Sequence, residues 1–222
     1  MRSDTSIAPS ELAALLEEEG FTLSGPPLAG LAAYLDLLMK WNTVMNLVGT
    51  SSWQNTARTL VVDSFHLAAF MPCLPLPENP ACWDLGAGAG LPGIPLRLLW
   101  QAGEYTMVEI REKRALFLRT ALAALKVPRT RTVRARAQDF FRTAPPANCI
   151  LSRAFMPWPE LLSLVAPHLA AGGLVLLLTL EDIPEENAAT RGWAVCAREH
   201  YQVAGKDRYF VALEREEGRC HG

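Results

Sequence analysis

No apolar run in this chain approaches the ~20 residues needed to cross a bilayer; the longest candidate is the short stretch Leu174–Leu178. The N-terminal MRSDTSIAPSELAALLEEEG is acidic and lacks the basic-then-apolar order of a signal peptide, so a cytoplasmic protein without membrane contact is expected. Cysteine is sparse and scattered. Cys73, Cys82, Cys149, Cys196 and Cys220 form no Cys-x-x-Cys and are odd in number, which argues against a zinc site or any other metal centre and against a disulfide framework. They read as reduced thiols, several of them in the core.

Acidic residues are nearly missing from one segment. Between Arg111 and Arg153 stand Arg111, Lys113, Arg114, Arg119, Lys126, Arg129, Arg131, Arg134, Arg136, Arg142 and Arg153, opposed only by Glu112 and Asp139. The first eighty residues reverse this, with Arg2, Lys40 and Arg58 as their only basic side chains. A formal net charge of −2 therefore hides a dipolar chain whose basic middle suits an anionic partner. For any single arginine, a solvated helix or strand edge remains an alternative.

With 222 residues and half of them hydrophobic, the chain can bury one sizeable core. Apolar spacing predicts helices over ELAALLEEEG, with Ser10 as candidate cap and Gly20 as stop, over Pro27–Asn42 and over Thr56–Met71. Pro72, Pro75, Pro77 and Pro80 then mark a stiff linker. This divides the chain into an N-terminal helical region (1–72), the linker (73–80) and a second domain (81–222). In the latter, ACWDLG, EYTMVEI, RTVRARA, NCILSRA and GGLVLLLTL read as strands, with WAVCAREHYQ and RYFVALER closing the pattern. Helices at Leu91–Gly103, Lys113–Lys126 and Pro157–Ala170, and a turn at Gln138–Arg142, fall between them. Such alternation implies an α/β fold, a doubly wound and mostly parallel seven-stranded sheet with the small helical region in front.

WDLGAGAGLPGIP, residues 83–95, sits after the first strand and opens a helix, the context in which glycine serves a close backbone approach. Pro92 suits the first helical turn, and Gly93 would let helix and sheet pack tightly. A dinucleotide fingerprint would place its third glycine where Leu91 stands, so a nicotinamide oxidoreductase is disfavoured. Gly86-x-Gly88-x-Gly90 behind Asp84 resembles instead the first motif of S-adenosylmethionine-dependent methyltransferases. Glu109, about twenty residues on at the end of TMVEI, could accept bonds from both ribose hydroxyls.

The flanks make the resemblance specific. Lys40-Trp41-Asn42 with Asn46-Leu47, Asp63-Ser64, GAGAGLPGIPL, EKRALFLR, LSRAF and Arg208-Tyr209-Phe210-Val211 follow the order found in the bacterial 16S ribosomal RNA guanine-N7 methyltransferases, the family also called glucose-inhibited division protein B or ribosomal small subunit methyltransferase G. The resemblance covers nearly the whole chain. It implies S-adenosylmethionine as methyl donor and a guanine of 16S ribosomal RNA or of the small ribosomal subunit as acceptor. It places the cofactor against Asp84, Gly86, Gly88, Gly90 and Leu91, its ribose on Glu109, its adenine by Ala137 and Gln138, and Arg153 in the pocket; the plain alternatives are that Gln138 starts a helix and that Arg153 pairs with an acid at a strand end. Arg136, Arg153 and Arg208 become candidates for gripping the guanine or adjacent phosphates, and Lys113, Arg114 and Arg119 for RNA backbone contacts. The late strand opened by Arg208 is expected beside the strand of LSRAF. Oligomeric state is not legible.

Three positions depart from the family pattern: Leu60 stands where a histidine is usual, Thr179-Leu180 where Lys-Gly is typical, and Ala87 where serine or threonine is commoner. They bear on RNA engagement and rate more than on fold or cofactor. Thr179-Leu180 leaves open a non-catalytic RNA-binding or assembly factor, and a methyltransferase of the same fold acting on a small molecule or protein is an alternative that the basic middle segment disfavours.

Overall fold

A computed structural model describes residues 6–189 and 191–216, so Cys220 lies outside the described residues. The described residues open with α1 (Pro9–Glu18) and α2 (Gly25–Met45). The residue capping α1 is Ala8, so Ser10 lies inside the helix rather than at its start. Trp41 meets Phe117 edge-on at 5.6 Å, and Asn42 closes the following loop by donating from Nδ2 to the Thr50 carbonyl at 2.7 Å while Oδ1 accepts the Val48 N–H at 2.9 Å. Instead of one helix over Thr56–Met71, the chain forms α3 (Trp53–Thr56), a π turn (Ala57–Val61) and α4 (Val62–Phe70). A π turn changes the face that the following turn presents, and here it precedes Asp63.

Beyond the prolines come β1 (Ala81–Leu85), α5 (Gly93–Leu99), β2 (Glu104–Val108), α6 (Glu112–Leu125), β3 (Thr130–Val133) and α7 (Ala137–Phe141). β4 (Ala147–Arg153), α8 (Trp158–Val165), β5 (Leu169–Thr179), α9 (Glu185–Ala189), β6 (Trp193–Val203) and β7 (Lys206–Arg215) follow. β3 is shorter than RTVRARA suggests. Among the described residues it is an edge strand paired only with β2, and after Val133 accepts the Glu109 N–H at 3.1 Å the chain leaves the sheet to start α7 at Ala137.

The seven strands run in the order β3-β2-β1-β4-β5-β7-β6, with β5–β7 and β6–β7 antiparallel and the rest parallel. The expectation that the strand of Arg208 lies beside that of LSRAF is therefore corrected: β5 separates β7 from β4. The strand order reverses between β1 and β4, the switch point where doubly wound folds bind ligands.

One continuous apolar cluster joins α1, α2 and α4 to one sheet face through residues such as Leu16, Leu35, Leu67, Cys149, Leu176 and Phe210. A fully buried leucine contributes ~1.5–3 kcal/mol, and the first two helices alone bury Leu12, Leu16, Leu31, Leu35 and Leu38 completely. A second cluster, including Trp83, Phe140, Leu161 and Trp193, covers the opposite face. Arg97, also fully buried, is a scaffold residue: its guanidinium donates to the carbonyls of Trp100, Ala102, Gln101, Gly103 and Pro128 and fixes the turn into β2. Among the described residues no helix is long and apolar enough to cross a membrane.

Candidate functional site

The glycine loop hangs from the carboxyl end of β2, the Gly86 and Ala87 N–H groups donating to the Val108 carbonyl at 2.9 and 3.2 Å. Gly86 and Gly90 take φ values of +73° and +79°, and a Cβ at either would lie 2.6 Å from a neighbour, Phe155 at Gly86 and Ile94 at Gly90. Gly88, at φ +58°, is different: an added Cβ would meet nothing closer than 3.7 Å. The loop is thus packed below and open at Gly88, as a backbone cradle for a bound group requires. Helical residues hold it from the other side. The Tyr34 hydroxyl donates to the Ala89 carbonyl at 2.8 Å, and that of Ser64 to the Pro92 carbonyl at 3.1 Å. No sequence motif points to Tyr34, which sits inside an amphipathic helix pattern.

Glu109 is only 4% exposed. Its carboxylate accepts the Gly88 N–H at 3.0 Å and the Arg111 N–H at 2.7 Å, so the acidic side chain and the glycine loop form one rigid unit. A cleft of about 400 Å³ opens there, lined by Gly86, Glu109, Ile110, Arg136, Ala137 and Gln138 among others. Ile110 belongs to no motif in the sequence; as a 52% exposed isoleucine in a cleft wall it offers an apolar face for a planar group. Gly90 and Leu91 pack toward the core rather than into this cleft. Asp84 lies beneath the loop, buried, with the Tyr105 hydroxyl donating to it at 3.2 Å and α5 pressed against it through Gly93, where a Cβ would fall 2.6 Å from the carboxylate. Burial pushes the Asp84 carboxyl up to about 7, against the Tyr105 hydrogen bond and the charge of Arg153.

Arg153 and Arg208 do not line that cleft, and Arg136 does not join them. They gather instead around Asp63 of α4, which is 2% exposed. Arg153 Nη2 lies 2.8 Å from Asp63 Oδ2, the Tyr201 hydroxyl donates to Oδ1 at 3.1 Å, and Arg208 Nε stands 3.9 Å from Oδ1. Register explains the meeting. Arg153 pairs with Leu178, Leu178 with Phe210, and Arg208 with Tyr201, which puts all these side chains on the sheet face that α4 covers. His66, one turn along α4, stacks on Tyr201 at 4.1 Å and reaches Glu199 at 3.5 Å.

A further cleft of about 340 Å³ lies on the other face, between Ser152, Met156, Trp158 and the segment from Leu177 to Ile183. It shares Ala154 with the first cleft, and Ala154 is held at φ +52°, a conformation uncommon for alanine. Thr179 and Leu180 are part of this wall, with Leu180 67% exposed. On α6, Lys113 and Arg119 are exposed and Arg114 borders the first cleft. Among the described residues no cluster of His, Cys, Asp and Glu could hold a metal ion.

A family model described as rRNA small subunit methyltransferase G matches residues 28–211. A protein named ribosomal RNA small subunit methyltransferase G from Nitratidesulfovibrio vulgaris is 53% identical over 213 residues, covering 96% of this chain and 97% of that protein. One of the same name from Lawsonia intracellularis is 46% identical over 88% of this chain and 90% of its own. Among solved structures, a putative tRNA (m1A22) methyltransferase from Streptococcus pneumoniae superposes with TM-score 0.54 at 15% identity, covering 70% of each chain. A ribosomal protein L11 methylase from Lactobacillus delbrueckii gives 0.53 at 14% identity, covering 70% of this chain and 79% of its own. At such identities these structures speak for the fold alone.

Proposed function

Since this chain belongs to the rRNA small subunit methyltransferase G family and is an rRNA methyltransferase, we propose that S-adenosylmethionine is its methyl donor and N7 of a guanine in 16S ribosomal RNA its acceptor. The carrying observation is the cleft at the sheet's switch point, where Glu109 is locked to the glycine loop. The open space at Gly88, the buried carboxylate beside it and the apolar wall at Ile110 fit a ligand with an amino-acid end, a ribose and a planar base.

On this reading Glu109 accepts from the ribose hydroxyls, Ile110 packs on the adenine, and Ala137 with Gln138 recognises its edge. Asp84, raised to about 7 by burial, supplies negative charge beneath the loop for the amino-acid end once it is ionised. When bound, S-adenosylmethionine supplies an electrophilic methyl group. N7 of guanine carries an in-plane lone pair and no proton, so the chain needs no general base; its residues have to hold N7 close and in line, and such positioning can supply several kcal/mol of the barrier. Arg153 and Arg208 suit the guanine O6 edge or a flanking phosphate, because a planar guanidinium makes paired bonds to either. Arg136, across the first cleft, is a third candidate for the same task. Lys113, Arg114 and Arg119 would neutralise backbone phosphates, which fix register without reading sequence.

The test is mass spectrometry of 16S RNA from cells lacking this protein. One missing 7-methylguanosine, restored by the purified protein with S-adenosylmethionine, is the expected result; an unchanged set of modified nucleotides rejects the proposal.

A further inference from the structure

Among the described residues Arg208 Nε is buried and has no hydrogen-bond partner, although the carboxylate of Asp63 stands 3.9 Å away. An orphaned buried donor is uncommon and calls for a reason. The same carboxylate already holds Arg153 and Tyr201, on β4 and β6, two strands that do not touch each other. Asp63 itself comes from the helical layer, one residue before Ser64, whose hydroxyl grips the end of the glycine loop. A single side chain therefore links three late strands to the helix that also braces the candidate cofactor loop.

We infer that Asp63 is a positioning residue for methyl transfer: it sets the orientation of Arg153 and Arg208 and offsets their charge beside the acceptor guanine. This role rests on the guanine-N7 reading proposed above. Its chemical basis is that methylated guanine becomes cationic. Two uncompensated guanidiniums next to that ring would oppose the charge that develops on it, whereas one buried carboxylate between them leaves a local charge near +1. That is enough to hold O6 or a phosphate, with less repulsion toward the product ring. Burial pushes the Asp63 carboxyl upward, and Arg153 is the foremost group drawing it back down, followed by Tyr201, Arg208 and His66. Arg153, with about a quarter of its side chain exposed, can keep its bond to Asp63 and still present a free edge to substrate. Arg208 Nη1 is anchored on the Asp207 carbonyl at 3.0 Å, so a small shift of the guanidinium on RNA binding would bring Nε within reach of the carboxylate.

The experiment compares the parent with Asp63→Asn, Asp63→Glu and Tyr201→Phe in single-turnover methylation of undermethylated small subunits, with cofactor affinity, RNA affinity and melting temperature measured alongside. Asp63→Asn keeps the volume and removes the charge. It should slow the methylation step about tenfold to a hundredfold, the range of positioning losses, while cofactor affinity and RNA affinity stay within about twofold of the parent. Asp63→Glu should recover part of the rate, Tyr201→Phe should lose a smaller part, and Arg208→Ala should add little to the loss already present in Asp63→Asn. Should Asp63→Asn fold poorly, the Tyr201→Phe and Asp63→Glu rates carry the comparison. A variant series that melts lower but methylates at the parental rate per folded molecule would make Asp63 purely structural and overturn the inference. A parent that methylates no guanine N7 would overturn the proposed function, and this role with it, so the two failures are told apart by the parent alone.

Discussion

Asp84→Asn is expected to make the protein more stable at neutral pH while weakening its hold on the cofactor. In the folded state the Asp84 carboxyl is raised from an ordinary 3.8 to about 7, chiefly by burial, with Glu109 adding to the rise and Tyr105 and Arg153 opposing it. The folded form thus binds this proton more tightly than the unfolded chain does. Below about pH 4 both states are protonated and the residue costs nothing; from there to about pH 7 stability falls as pH rises, and above pH 7 the whole cost is present. At ~1.4 kcal/mol per pH unit between the two values the cost at pH 8 is about 4 kcal/mol at most, and relaxation around the ionised carboxylate leaves roughly 2–4. Asparagine keeps the shape against α5 and can keep the Tyr105 hydrogen bond at 3.2 Å through its carbonyl, but carries no charge to desolvate. Urea unfolding of parent and variant at about pH 5 and pH 8 should show a gain that is small at the lower pH and full at the higher. Calorimetry should show weaker S-adenosylmethionine binding by the same variant. An Asp84→Asn protein less stable than the parent at pH 8, or one that keeps the parental pH slope, would refute the reasoning.

Glu109→Ala should lower S-adenosylmethionine affinity at least tenfold in calorimetry, since it removes hydrogen bonds to a charged group worth ~1.5–3 kcal/mol each and frees the Gly88 and Arg111 N–H groups that order the loop. Arg208→Ala should leave cofactor binding near parental and slow single-turnover methylation about a hundredfold; if Arg208→Lys is equally slow, the planar fork matters and not the charge alone. The triple variant Lys113→Ala/Arg114→Ala/Arg119→Ala should bind RNA with a flatter salt dependence, by ~0.7–0.9 in log–log slope for each phosphate that is no longer neutralised; an unchanged slope removes α6 from the RNA surface.

Local features of the fold can be read from the chain because each is a local physical pattern. Alternating short apolar runs and helical periods disclose the strands and the crossovers, and α6 runs from Glu112 to Leu125 almost as its spacing implies. The element boundaries that spacing does not disclose have specific causes. α5 stops at Leu99 because the buried Arg97 gathers the following carbonyls into a turn, and β3 stops at Val133 because its only partner ends there. α9 and the π turn before Asp63 leave no periodic signal, being five residues each. In the site, Glu109 and the glycine loop are legible because strand, loop and next strand end are neighbours in a βαβ unit; Tyr34 and Ile110 are not, because an apolar position reads alike whether it fills a core or faces a cleft.

What the chain alone determined is the alternating α/β pattern, the glycine loop with Glu109 at the next strand end, and the basic middle segment, all carried by residue type and short spacing. Only the tertiary structure decided that β5 stands between the strands of Arg153 and Arg208, that the helical region belongs to the same apolar cluster as one sheet face, and that Asp63 collects Arg153, Arg208 and Tyr201. Tyr201 lies 138 residues from Asp63 in the chain, and no periodicity links positions that far apart. Strand order and register set which side chains share a face, and the burial that results sets how far a carboxylate such as Asp84 is driven from its value in water.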